Sequence, residues 1–431
     1  MLAVSPLALA ALPNGAAAEC DSGYVTYRMQ EGDTLYGLSE RYFRGVTAVG
    51  QIARLNGIRN PRRIPVGTEL RIPRRYLTYR DAGLQVRHSS GTVQINGVQA
   101  NRAMQVPDGG RIETSAGSFL TLQSADGSTT ITLPANARAQ LACSRIYALG
   151  DLRDIQFDLL DGRGEIRAPV LRTDERFRTS TPVAVTAVRG TEYRVSYDDT
   201  TGIGTAEVTE GRVAVAADES FASEVLPEAG FGVAASQAGV GEVEQLLPPP
   251  EVGEIASVQM AETVDFTVAP PAGGAASRVQ IARDETFVEV IAEDLSSDGS
   301  FSFAGLEDGR YLVRVRGVAE NGLEGLSEEF RFRRKRLGAE GSVEQSTLAD
   351  GFRFVWSAQG TGLTHFAFQL WREGEPGVLL YDEIALPGDA TLVTALEPGV
   401  YVWRIGAMQT DAEEGLLTVW SEPTRLPVDT E

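Results

Sequence analysis

Between residues 82 and 236 the apolar side chains come in short β-like runs, and a glycine turn soon succeeds each one. Thr92-Val93-Gln94-Ile95, Phe119-Leu120-Thr121-Leu122, Thr130-Ile131-Thr132-Leu133, Val183-Ala184-Val185, Glu192 to Val195 and Val213-Ala214-Val215 are the runs. Asn96-Gly97, Asp108-Gly109-Gly110, Asp126-Gly127, Asp161-Gly162 and Glu210-Gly211 are the turn signals between them. Many short strands with frequent glycine turns predict an all-β roll, sandwich or solenoid. Residues 148–158 are the exception, where the spacing predicts a small helical interruption. At 431 residues the chain is too long for one core, and several units are expected.

Residues 237–250 end in Leu246-Leu247-Pro248-Pro249-Pro250 and predict a linker. Beyond it the sequence repeats with a period close to ninety. Leu306-Glu307-Asp308-Gly309-Arg310-Tyr311-Leu312-Val313-Arg314-Val315 aligns with Leu396-Glu397-Pro398-Gly399-Val400-Tyr401-Val402-Trp403-Arg404-Ile405. Phe266-Thr267-Val268 pairs with Phe354-Val355-Trp356, and Val279-Gln280-Ile281-Ala282 with Phe368-Gln369-Leu370-Trp371. Each copy has the size of an immunoglobulin-like sandwich. The L-x-x-G-x-Y pattern, with Trp420-Ser421-Glu422 after the second copy, resembles fibronectin type III domains. That resemblance implies corner tyrosines at Tyr311 and Tyr401 and a core tryptophan at Trp356, replaced by Val268 in the first copy. Arg331 to Arg336 reads as a strand end running into a charged linker.

Residues 24–73 carry the helical signal. Tyr24 to Met29 reads as a strand, and Gly32-Asp33-Thr34 as a turn capping a helix with Leu35, Leu38, Tyr42 and Phe43. A second helix over Val49, Ile52, Ala53 and Leu55 stops at Asn56-Gly57, before a strand from Thr68 to Ile72. Glu31-Gly32-Asp33-Thr34-Leu35, Ile52 to Ile58, Asn60-Pro61 and Val66-Gly67-Thr68-Glu69-Leu70-Arg71-Ile72-Pro73 together resemble a LysM domain. The resemblance implies a βααβ module that binds N-acetylglucosamine units of peptidoglycan or chitin between two loops. By position those loops are Gly32, Asp33, Thr34 and Leu35, and Asn56, Gly57 and Ile58. Backbone groups there would meet acetamido groups, and Leu35 and Ile58 would offer apolar surface to the sugar. As purely structural parts, the first loop is a helix cap and Ile58 is core; the two readings are compatible.

Gly91-Thr92-Val93, Val106-Pro107-Asp108-Gly109, Arg111-Ile112-Glu113-Thr114, Val188-Arg189-Gly190-Thr191-Glu192-Tyr193 and Glu210-Gly211-Arg212-Val213 are similar to the FecR domain. In its namesakes that domain is periplasmic and relays a signal through a membrane helix to a sigma factor. No second stretch of this sequence approaches the ~20 apolar residues of a membrane span, so the relay itself is not implied.

Leu2 to Leu12 followed by Ala16-Ala17-Ala18 predicts a signal peptide over 1–18, lacking a basic start, with a disordered tail as the competing reading. Glu19 before Cys20 departs from a lipobox, so no lipid anchor is expected. Cys20 and Cys143 are the two cysteines, and in an exported chain they either pair or stand as separate thiols. The formal net charge is −20, but residues 22–75 hold ten Arg against four acids. An acidic body of this kind excludes nucleic acid as a general partner.

Catalytic chemistry finds little to stand on. The two histidines, His88 and His365, lie in different predicted domains, and neither has metal-ligand or nucleophile spacing. Cys143 has no histidine nearby. Paired carboxylates for glycoside hydrolysis are an unfavoured third option. The expected organisation is mainly β, with no cofactor: LysM at 22–75, FecR-like at 82–236, a linker at 237–250, and fibronectin-like copies at 251–335 and 336–428. The expected function is non-catalytic: peptidoglycan glycan strands bound through LysM, and an envelope protein partner bound by the β body, in the periplasm. The alternative is a sensor working with a separate membrane partner.

Overall fold

The computed structural model describes residues 20–188, 190–346 and 351–429, so the predicted signal peptide and Arg189 lie outside the described residues. The fold is mainly β. Two α-helices occur among the described residues, both in the N-terminal module. The chain divides into two compact units. Among the described residues, one holds 20–188, 190–251, 269–299 and 314–328, and the other 252–268, 300–313, 329–346 and 351–429.

In the first unit, β1 (Tyr24–Arg28) pairs antiparallel with β2 (Glu69–Pro73), and α1 (Leu35–Tyr42) and α2 (Ala48–Leu55) lie between them in sequence. Leu35, Leu38, Ile52, Leu70 and Ile72 are fully buried in one core. That core is completed from outside the module by Tyr147 and Leu149, so the βααβ unit packs directly on the neighbouring β region.

This β region, from Tyr79 to Gln245, is a two-sheet roll around a shared apolar core. Its backbone is the sixteen-residue strand Leu152–Arg167. The first half of this strand pairs with Arg138–Tyr147 and, in parallel, with Arg176–Thr181. The second half crosses to the other sheet and pairs with Glu192–Asp198 and Thr130–Leu133. The crossing falls at Gly162, with φ at +88°, where a Cβ would lie 2.8 Å from the Asn136 carbonyl. Asp161-Gly162 is therefore a bend within one strand rather than a turn between two.

Two sequence expectations need correction here. Residues 148–158 are not helical: a turn at Ala148–Asp151 leads straight into the long strand. Residues 237–250 are not a free linker either. Gly239–Gln245 is a strand paired with Phe231–Ser236, and the Leu247 carbonyl accepts the Leu326 N–H at 2.9 Å. The triple proline ends the strand, and its composition hid the short Val240/Val243 pattern before it.

Nine charged side chains are gathered inside the first unit. Arg163, Glu165, Arg194 and Glu207 come from the roll, and Arg278, Glu293, Arg314, Arg316 and Glu324 from the first repeat. Glu324 contacts Arg278 at 2.7 Å, Arg163 at 3.1 Å and Arg316 at 3.2 Å. Glu165 meets Arg314 at 2.7 Å and Arg316 at 2.8 Å. Burial pushes both carboxyls up, but the surrounding guanidiniums outweigh it and hold Glu165 and Glu324 well below the usual range. Glu207 goes the other way, raised by burial while Arg194 opposes and Glu324 reinforces the shift.

The second unit contains the whole second repeat. Leu337–Gln345, Gly351–Gly360 and Ala390–Thr394 form one sheet, and His365–Arg372, Leu379–Leu386, Gly399–Asp411, Gly415–Trp420 and Thr424–Val428 the other. Between them Trp403 packs edge-on to Phe354 at 5.1 Å, and Trp356, a core residue, donates its indole N–H to the Gly388 carbonyl at 2.9 Å. Tyr401 donates its hydroxyl to the Glu397 carbonyl at 2.7 Å. Tyr311 does the same to Glu307 at 2.8 Å. Both tyrosines thus make the hydrogen bond back to upstream backbone that marks a tyrosine corner. The Arg331–Arg336 stretch ends the strand Glu324–Arg334 as expected, with its charges partnered: Arg334 is 2% exposed and donates to the carbonyls of Gln259 and Glu262, while Arg333 grips Asp411.

Candidate glycan-binding site

Two loops flank the helices of the N-terminal module. The first, between β1 and α1, is built around Asp33. Its carboxylate accepts the Tyr27 hydroxyl at 2.6 Å, the Gln30 N–H at 3.0 Å and the Arg41 guanidinium at 3.0 Å. Burial raises the Asp33 pKa, but these three donors outweigh it and lower the net value. Tyr27 is pushed up to about 12, by burial first and by the Asp33 hydrogen bond next. Thr34 caps α1 by accepting the Gly37 N–H at 3.0 Å, the expected use of a threonine there. Gly32 stands at φ +83° and is exposed.

The second loop opens where α2 ends. Asn56 accepts the Arg71 N–H at 2.7 Å and donates to the carbonyls of Ile52 and Arg71, both at 2.9 Å. Its side chain is therefore a latch between α2 and β2. Gly57 takes the left-handed turn at φ +65°, and the Ile58 N–H returns to the Ala53 carbonyl at 2.9 Å. The two loops are tied together where Leu35 donates its N–H to the Pro61 carbonyl at 2.9 Å.

These contacts sort the seven sequence-derived residues. Asp33, Thr34 and Asn56 spend their side chains on holding the loops in shape. Leu35 is 0% exposed, so it offers no apolar surface to a ligand; a helix-start leucine in register with Leu38 belongs to the core stripe. Gly32 and Gly57 present exposed backbone, and Ile58 is half-buried. The N–H groups of Gly32 and Thr34 have no protein acceptor among the described residues. An exposed aromatic that the sequence reading did not single out lies beside the first loop. Tyr36, 46% exposed, comes directly after Leu35 and turns off the buried stripe, and the Arg62 guanidinium lies 5.5 Å above its ring. The signal was available: an aromatic one position out of register with Leu35 and Leu38 has to face outward.

The module is clamped to the roll behind it. Cys20 and Cys143 are paired as a disulfide, with Cα atoms 5.6 Å apart. Arg74, 2% exposed, meets Asp154 at 3.2 Å, and Asp154 also receives Arg176. Tyr147 donates to the Cys20 carbonyl at 2.8 Å. Arg145 joins Asp21 to Asp108, at 2.7 and 2.8 Å.

Residues 27–73 match the LysM domain family, and residues 110–214 match the FecR protein family. The chain carries a LysM domain followed by a FecR domain. Both kinds of domain bind or regulate rather than catalyse, and both are typical of extracytoplasmic proteins. No helix among the described residues is long and apolar enough to cross a membrane. A comparison with curated proteins gave no match. Among solved structures, an anti-sigma factor candidate from Parabacteroides distasonis is similar at 18% identity and a TM-score of 0.25. That similarity covers 31% of this chain and 58% of the other, so the chain spans little more than half of its length. A two-domain fibronectin type III segment from chicken tenascin is similar at 13% identity, covering 43% of this chain and all of that one, with a TM-score of 0.23. Likeness at these scores does not extend to function.

Proposed function

We propose that this is a non-catalytic cell-envelope protein. Its LysM domain holds N-acetylglucosamine-containing glycan of peptidoglycan, and its FecR and fibronectin-like domains present surfaces to an envelope protein partner in the periplasm. The observation that carries the reading is the LysM match together with two groove loops that share one core and are joined at Leu35 and Pro61. The proposed domain limits are LysM at 22–75, the FecR-containing roll at 79–245 and the fibronectin-like copies at 251–335 and 336–428. No cofactor is needed for such a role. A groove of backbone donors and carbonyls suits acetamido groups, and weak single-site binding gains from a repeating polymer.

The test is sedimentation of the full chain with insoluble peptidoglycan. Deleting 22–75 would strip Tyr147 and Leu149 of their partners, so point variants are the better probe. The chain should pellet, soluble N-acetylglucosamine oligomers should release it, and Gly57→Val should weaken it by forcing the loop out of its left-handed turn. Pelleting no higher than for an unrelated protein defeats the proposal, and release of soluble muropeptides would make the chain an enzyme. A second reading, that the FecR domain passes a wall-derived signal to a separate membrane partner, is supported by the FecR match. Crosslinking to a membrane protein that changes when peptidoglycan is added would favour it.

A further inference from the structure

The segment from Arg41 to Thr68 contains six arginines and no acidic residue, in a chain of net charge −20. Two of the six are neutralised locally, Arg41 by Asp33 at 3.0 Å and Arg44 by Asp21 at 2.7 Å. The other four, Arg54, Arg59, Arg62 and Arg63, are exposed and make no ion pair among the described residues. Elsewhere both kinds occur: Arg28, Arg71, Arg87, Arg102 and Arg111 also make no ion pair among the described residues, whereas others are paired. Arg74, Arg145, Arg153, Arg163, Arg194 and Arg316 each face a carboxylate.

The place of the four arginines matters as much as their number. Arg59, Arg62 and Arg63 come directly after Asn56-Gly57-Ile58, the second groove loop. Pro61, between them, accepts the Leu35 N–H, and Arg62 lies over Tyr36. Unpaired guanidiniums thus stand on the rim that joins the two loops. A neutral N-acetylglucosamine polymer offers them hydrogen-bond acceptors but no opposite charge. Peptidoglycan does, because its peptide stems carry carboxylates at intervals along the glycan.

We infer that the rim formed by Arg59, Arg62 and Arg63 reads anionic oxygens beside the glycan, so that the LysM groove retains carboxylate-bearing peptidoglycan in preference to neutral chitin. This rests on the glycan-binding reading of the LysM domain. Guanidinium suits the task, since its planar fork matches a carboxylate and its charge persists at all physiological pH. Each contact is an exposed ion pair worth only a few-fold, so three together give on the order of tenfold in affinity. They should also be sensitive to salt, because exposed charges are screened over about 8 Å at physiological ionic strength.

The experiment compares the full chain with the triple variant Arg59→Gln, Arg62→Gln, Arg63→Gln. Each is titrated against three insoluble polymers: peptidoglycan, peptidoglycan with its carboxyls converted to amides, and chitin. The native chain should bind untreated peptidoglycan about tenfold more tightly than the other two, and 0.5 M salt should remove about the same factor. The triple variant should bind all three polymers alike, at the native chain's chitin level. Stripping phosphate polymers from the peptidoglycan should change nothing; if it removes the preference, the anion is a phosphodiester and the carboxylate assignment is wrong. Equal binding of the native chain to all three polymers overturns the inference but leaves glycan binding standing. Binding to none of them overturns glycan binding itself.

Discussion

Removing the charge of Glu324 tests the physical account of the first unit most directly. This carboxylate is 5% exposed and lies within 3.2 Å of Arg278, Arg163 and Arg316. Its pKa is well below the usual value because those guanidiniums outweigh the cost of burial. Glu324→Gln keeps the shape and takes one counter-charge from three guanidiniums; Arg163 and Arg278 keep Glu293 and Arg316 keeps Glu165, so the full cost of breaking a buried pair is a ceiling. Breaking a buried pair by removing one partner costs about 3–5 kcal/mol, since the remaining charge stays desolvated. For a unit of this size that corresponds to a fall in melting temperature on the order of 10 °C. Chemical denaturation of the full chain, followed by tryptophan and far-ultraviolet signals, measures it. Glu344→Gln is the control: its pair with Arg353, at 2.9 Å, is more than half exposed on both sides and should cost no more than about 1 kcal/mol. The deficit of Glu324→Gln should also shrink in acid. A depressed folded-state pKa contributes stability above the unfolded value of about 4.3, and that contribution disappears as pH falls through the folded value. A loss for Glu324→Gln no larger than the control's would show that the cluster is hydrated like a surface, and the argument from burial would fail.

Four other expectations rest on single groups elsewhere in the chain. Glu207 has a raised pKa, so its contribution is fully present below about pH 4.3 and lost as pH rises through the folded value; Glu207→Gln should therefore leave stability at pH 7 unchanged or higher, read from denaturation midpoints across pH. Cys20→Ser opens a cross-link spanning 123 residues and should lower the stability of the first unit by about 2–5 kcal/mol, with one newly labelled thiol by mass spectrometry under oxidising conditions. Asp33→Ala removes the acceptor of the Tyr27 hydroxyl, so the phenol held at about 12 should move toward its ordinary value of about 10 in an absorbance titration; an unmoved titration would mean burial alone sets it. Tyr401→Phe deletes the hydrogen bond to Glu397 and should cost the second unit about 1 kcal/mol by thermal melting.

What the sequence revealed, and what it hid, divides along the range of the interactions. The βααβ module was legible because its signals are local: Thr34 caps, Asn56-Gly57 stops, and Leu35 and Leu38 mark one helical face. The corner tyrosines were legible through the resemblance to fibronectin type III domains, which the repeat offered twice. The strand Leu152–Arg167 was hidden because it is buried on both faces. Asp154 and Gln156 are as inaccessible as Ile155 and Phe157, so no polar–apolar alternation survives. Ala148, Leu149, Leu152, Ile155 and Leu159 then happen to fall at helix-like intervals. The charged cluster was invisible for a related reason. Arg163 and Glu324 are 161 residues apart, and nothing near either one marks it as buried. At the candidate groove, the resemblance located two loops that the structure also places at the helix ends, but expected apolar surface at Leu35, which is buried; position in a motif does not say which way a side chain points.

The attachment of the LysM domain has a mechanical side. A module joined by a flexible tether can turn freely, and a pull on it is spent first on straightening the tether. Here the joint is welded at a disulfide, at the Arg74–Asp154 pair and at a core that borrows Tyr147 and Leu149. A load on the module therefore meets the strand Arg138–Tyr147, a middle strand of the roll that carries Cys143 and Tyr147, with no tether to absorb it. The joint behaves as a rigid coupling, and a change in the load on one side is felt at once as strain in the sheet on the other.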